Sequence, residues 1–116
     1  SVAEVTAANT AIALGSGDMD VFATPALVAL MENAAMNAVK SALPEGSTTV
    51  GAMIQTSHIK PSAIDETVKA TAVLQEVDGR KLTFSVSAVD SQGAVGEGTH
   101  IRYVVDRERF LAKLKK

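Results

Sequence analysis

The amino-acid sequence predicts an α+β fold: one long apolar helix, a curved antiparallel sheet of about five strands wrapped around it, and a short C-terminal helix. Three observations carry this. The stretch Pro25–Leu43, about 19 residues long, is apolar nearly all the way round. The segments that follow it alternate apolar and polar side chains with period two. Asp78-Gly79 and Ser91-Gln92-Gly93 punctuate those segments at hairpin spacing. One apolar helix needs a large surface to cover it, and a sheet bent around it is the economical solution.

Taken in order, residues 2–14 are rich in Val, Thr, Ala and Ile and are expected to form a first strand, broken by Gly15-Ser16-Gly17-Asp18. Thr24 followed by Pro25 is a helix-start signal, since threonine caps free N–H groups and proline suits the first helical turn. The helix is expected to end before Pro44-Glu45-Gly46. Strand 48–60 then places Val50, Ala52, Ile54, Thr56 and His58 on one face, and strand 66–77 places Val68, Ala70, Ala72 and Leu74 together. Strand 80–90 aligns Leu82, Phe84, Val86 and Ala88, and residues 94–105 form the last strand. Asp106 is placed to cap a helix over 107–115, whose Phe110, Leu111 and Leu114 would dock on the body. This order is that of the hot-dog fold, whose chains usually pair because part of the sheet edge and helix stays open in a single copy.

Size and composition narrow the function. The 116 residues form a single domain, 1–116, large enough to bury roughly two thirds of its unfolded surface. With 47% apolar residues, no Trp, three Phe and one Tyr, the core must be aliphatic. A net charge of −2 without a concentrated basic surface argues against nucleic acid as a partner. The absence of cysteine removes disulfides, thiolate chemistry and Cys-based metal sites. No signal-peptide pattern and no uninterrupted membrane-length apolar run is present, so a soluble cytoplasmic protein is expected. No metal-ligand cluster, phosphate-binding glycine loop or Ser-His-Asp elbow is visible, and no cofactor is implied.

Within the helix, Asn33, Asn37, Lys40 and Ser41 form one polar stripe, and Glu32 lies outside it among Val28, Met36, Val39 and Leu43. A carboxylate there must be paired, hydrogen-bonded or reached by water, which makes it a candidate for chemistry. His58 ends its strand's apolar face where imidazole could move protons, or it is a hydrogen-bonded rim residue. His100, on the last strand, has no acid or nucleophile beside it in the sequence pattern, so His58 is preferred. Gly51 interrupts a β-branched run as a bulge or a point of close approach, and Gly96 and Gly98, flanking Glu97, read the same way.

The segments ATPALVALMENAAMNAV, EGSTTVGAMIQTSHI and VGEGTHIRYVVDRERF together resemble hot-dog thioesterases of the fluoroacetyl-CoA thioesterase type, from about Phe22 to Phe110. That family's functional threonine, glutamate and histidine map onto Thr24, Glu32 and His58 in order and spacing, and a glycine of its pocket strand maps onto Gly51. The resemblance implies an acyl-CoA thioesterase acting on a short- or medium-chain acyl group, as a homodimer or tetramer. Glu32 would be nucleophile or general base, His58 a proton carrier, and Thr24 a hydroxyl at a helix N-terminus, where negative charge is favoured. Arg102 is a candidate for CoA phosphates, against the plainer reading of a solvated arginine on a strand edge. Eight residues of helix span ~12 Å, so Thr24 and Glu32 of one chain cannot touch, and a site using both is bridged by substrate or shared across a dimer. The family's aromatic lid has no counterpart in Gly15–Asp20, so hydrolysis carries over better than selectivity for a fluorinated group. Two other readings are a hot-dog hydratase, for which the required Asp with His five positions later is missing, and a non-catalytic acyl-CoA-binding module.

Overall fold

The computed structural model describes residues 1–115. Strand β1 (Val2–Glu4) and a one-turn helix α1 (Ala11–Leu14) precede the central helix α2 (Thr24–Val39), which runs into a 3-10 turn at Lys40–Ala42. Strands β2 (Ser47–His58), β3 (Thr67–Asp78), β4 (Lys81–Asp90) and β5 (Gly93–Asp106) follow, then helix α3 (Arg107–Leu114). All five strands form one antiparallel sheet in the order β1-β3-β4-β5-β2. The curled sheet and central helix are the arrangement expected from the sequence.

Helix α2 buries Leu27, Leu30, Met31, Ala34, Ala35 and Val39, a 3.6-period stripe that packs on Val68, Ala70, Leu82, Phe84, Val86, Ala88 and Val95 of the sheet. Burial of each Leu, Met or Phe among these contributes about 1.5–3 kcal/mol. The inward faces expected for β3 and β4 are present, with Leu74 partly exposed where β3 runs past the helix. Both hairpins turn as expected, with Gly79 (φ 60°) in the β3–β4 turn and Gly93 (φ 127°) closing the β4–β5 turn.

The N-terminal segment differs from expectation. Strand β1 stops at Glu4 because polar side chains divert the backbone: Asn9 accepts from Thr6 N and donates to Glu4 O, and Thr6 accepts from Ala8 N. Thr10 then caps α1 through Ala13 N, and Gly15 (φ 71°) ends it. The inward face of β2 also differs. A bulge between Gly51 and Met53 shifts the alternation, so Thr49 and Gly51 face inward before it and Ile54, Thr56 and His58 after it.

Candidate active site

Thr24 does not cap its helix. Ala23 occupies the cap position, and Thr24 is the first helical residue. Its hydroxyl is freed to reach His58 at the end of β2, with Oγ1 and Nδ1 2.7 Å apart. The loop after β2 holds this corner: Ile59 N bonds Val95 O, Phe22 N bonds Ser62 O, and Val21 bridges Ala63. A cavity of about 240 Å³ opens beside the pair, walled by Ala11, Ser16, Val21, Phe22 and Pro61. Burial lowers the His58 pKa below its ordinary value; the Lys60 backbone opposes this and the Lys60 charge reinforces it. The imidazole is therefore neutral at pH 7. With Nδ1 accepting from the hydroxyl, Nε2 carries the proton, and it is buried without a partner among the described residues. A hydroxyl on a neutral imidazole, at the positive end of a helix, has the chemistry to act as a nucleophile–base pair.

Glu32 lies in a second cluster. Its carboxylate is 40% exposed, and Oε2 is 3.8 Å from Arg102 Nη1. Arg102 is on β5, an interior strand, and its side chain is only 8% exposed. It is neither a solvated edge residue nor free to reach phosphates at the surface. Nε donates to Thr49 Oγ1 (2.8 Å) and Nη2 to Thr49 O (3.0 Å). Burial lowers the guanidinium pKa and Glu32 opposes that shift. Gly51 fits against this group because it has no side chain: a Cβ there would sit 2.8 Å from Glu32 Oε2 and 3.4 Å from both Arg102 Nη1 and His100 Cε1. The surroundings of Glu32 are thus polar on the sheet side, while Val28 and Met36 beside it on the helix are only half-buried.

His100 was not legible as part of any site, yet it is buried against Arg102. Its Nδ1 lies 2.8 Å from Met53 O and its Nε2 3.2 Å from Arg102 Nη1. A guanidinium can only donate, so Nε2 accepts from Arg102 while Nδ1 donates to the Met53 carbonyl, and the ring holds the cation in place. Its two-residue spacing from Arg102 on an inward strand face is the one signal that could have joined them. Gly96 and Gly98 serve strand packing rather than an acyl group, since side chains there would collide with the carbonyls of Ser57 and Gln55. Glu97 faces outward with Ser57, into a shallow concavity of about 710 Å³ lined chiefly by Ser, Thr and Gln.

The structure therefore joins Thr24 to His58, and Glu32 to Gly51 and Arg102, in two clusters. The eight helix positions from Thr24 to Glu32 keep them ~12 Å apart on one chain. Strand β2 carries residues of both clusters and is an open edge of the sheet.

Comparison with known proteins bears on these clusters. Residues 5–108 match the family model of the fluoroacetyl-CoA-specific thioesterase. The fluoroacetyl-CoA thioesterase of Streptantibioticus cattleyicolor is 40% identical over 96 residues, covering 83% of this chain and 69% of that protein. A crystal structure of a variant of the fluoroacetyl-CoA-specific thioesterase, in complex with fluoroacetate and CoA, superposes with a TM-score of 0.93 at 34% identity, covering 98% of this chain and 94% of that one. A hot-dog-like protein from Thermanaerovibrio acidaminovorans shares the fold, with a TM-score of 0.89 at 24% identity over 98% of this chain and 84% of its own.

Proposed function

The chain belongs to the fluoroacetyl-CoA-specific thioesterase family, and on that basis we propose that it hydrolyses a short- or medium-chain acyl-CoA to the free acid and CoA, using Thr24, His58 and Glu32. The observation that carries the assignment of roles is the 2.7 Å contact of Thr24 Oγ1 with His58 Nδ1 at the start of α2. His58 takes the hydroxyl proton as Oγ1 attacks the thioester carbonyl, and the negative charge that develops lies at the helix N-terminus. The imidazolium then gives the proton to the departing CoA thiolate, leaving an acyl ester on Thr24. Water attacks this ester and gives one proton to a general base; as the C–O bond to Thr24 breaks, that proton returns to the threonine oxygen and the acid leaves with the other.

Glu32 is that general base on this reading. Its carboxylate is open to water at 40% exposure, and Arg102 Nη1 lies 3.8 Å from Oε2. The alternative is that the Glu32 carboxylate attacks the thioester itself, expelling CoA thiolate and giving an anhydride that water then opens. Because the clusters are separate within one chain, the site is completed by a second copy of the chain pairing along the open β2 edge. The half-buried Val28 and Met36 and the exposed Met53 (40%) support a covered face there. The small side chains of Ala11 and Ser16 around the 240 Å³ cavity favour a tolerant acyl pocket over one closed on fluoroacetyl.

The test is thiol release from acetyl-, fluoroacetyl-, butanoyl- and hexanoyl-CoA by the wild type and by Thr24→Ala, His58→Ala and Glu32→Ala. Turnover of at least one substrate, lost in all three variants, is expected. Acyl-CoA binding without thiol release would instead identify a non-catalytic binding module.

A further inference from the structure

One buried carboxylate reaches both members of the Thr24–His58 pair, through Lys60 two residues after His58 and, one step further removed, through Ser62, which bonds Phe22 two residues before Thr24. Asp90 ends β4, and its side chain is fully shielded from solvent. Its Oδ2 accepts from Lys60 Nζ and from Ser62 Oγ (2.6 Å), and its Oδ1 accepts from Gln92 N (2.8 Å). Lys60 follows His58 by two residues and also donates to Pro61 O (3.0 Å). Ser62 is buried, and its carbonyl accepts from the N–H of Phe22, two residues before Thr24 (2.9 Å). Glu66 ties the same loop to the β4–β5 turn through Ser91 N and Oγ. None of these residues stands out in the sequence, and none takes part in the chemistry described above.

We infer that Asp90 is a positioning residue for the Thr24–His58 pair, acting through Lys60 and Ser62: it sets the approach of hydroxyl to imidazole and neutralises the ammonium beside the ring. This rests on the assignment of Thr24 and His58 as nucleophile and base. Burial alone would raise the Asp90 pKa, but the bonds from Lys60, Ser62 and Gln92 outweigh it and hold the carboxyl below its ordinary value, so it is ionised at pH 7. Around His58, Lys60 is the charged group in the loop after β2; Thr24, Phe22, Ser16 and Pro61 carry no charge, and Glu97 on β5 faces the other side of the sheet. The ammonium disfavours a protonated imidazole, and Asp90 offsets it.

The experiment is a titration of histidine-labelled enzyme by NMR, with the pH profile of kcat/KM on the fastest acyl-CoA of the panel. Asp90→Asn leaves Lys60 uncompensated and is expected to lower the His58 midpoint and the acid limb by on the order of half a pH unit. Lys60→Met is expected to raise both by a similar amount. The double variant is expected to restore the midpoint while kcat stays roughly tenfold down, since the tether is still missing. A merely structural role would lower the melting temperature in every variant without opposite shifts. Shifts of the same sign, no shift in either single variant, or full kcat in the double variant would overturn the inference. If the charge variants do not fold, Ser62→Ala keeps both charges: a several-fold loss of kcat with an unmoved midpoint supports the tether, and unchanged kcat overturns it. If the NMR midpoint moves as stated and the kinetic limb does not follow, the nucleophile–base assignment fails, and only the influence of Asp90 and Lys60 on the His58 ring stands.

Discussion

Gly51→Ala is the mildest substitution that should disturb catalysis through Glu32. The added methyl would sit 2.8 Å from Glu32 Oε2, inside the 3.4 Å at which ordinary contact begins. Arg102 Nη1 and His100 Cε1 lie at 3.4 Å and close the other sides, so the carboxylate must retreat by about 0.6 Å. Because Glu32 is 40% exposed it has room to turn, which places the stability cost near the low end for overpacking, about 1 kcal/mol. A domain of this size would lose roughly 4–8 °C in melting temperature for that cost. The kinetic cost is larger in proportion: a misplacement of 1 Å is worth about a hundredfold in rate, so the shift predicts a fall of roughly tenfold in kcat. Thiol-release kinetics beside a thermal melt separates the two effects. Unchanged kcat in a folded Gly51→Ala protein would refute the placement of Glu32 as a base.

Three further outcomes follow from the same geometry. The neutral His58 required for attack predicts that kcat/KM rises with pH through a midpoint below the ordinary 6.5. Between that midpoint and 6.5 the native state binds fewer protons than the unfolded chain, so stability also rises with pH across this window; a midpoint above 6.5 contradicts the account. Arg102→Met strips Thr49 and His100 of their buried donor and should cost about 3 kcal/mol by chemical denaturation; a loss below about 1 kcal/mol would show that the cation is not structural. Met53→Lys puts a charge on the open edge of β2 and should give monomers in sedimentation with hydrolysis lost, whereas active monomers would remove the shared site.

Much of the fold was legible because local chemistry and tertiary need agree. Thr24-Pro25 begins a helix, and the turns at Gly79 and Gly93 leave little choice of hairpin. The departures arise where side chains compete with the backbone. Thr6, Asn9 and Thr10 spend their polar groups on turns and a cap, which ends β1 early and makes a helical turn from an apparent strand. Thr24 shows the reverse, a residue type read as a cap whose hydroxyl is claimed by a partner 34 residues away. The bulge after Gly51 exchanges the faces of β2, so the neighbours of Glu32 could not be read from alternation. The burial of His100, Arg102 and Asp90 could not be read from spacing, because strand order places β4 and β5 inside the sheet. Glu32 and His58 were legible as candidates in the pattern of the chain, Thr24 joined them through a family's motif, and their division into two clusters came only with the coordinates.

The most direct measurement of the central claim is mass spectrometry of the Glu32→Ala enzyme quenched after mixing with an acyl-CoA that the wild type turns over. The account predicts an acyl ester on Thr24, because attack proceeds and deacylation is slowed. Full turnover by Thr24→Ala, or an adduct carried by Glu32 in the wild type, would contradict it.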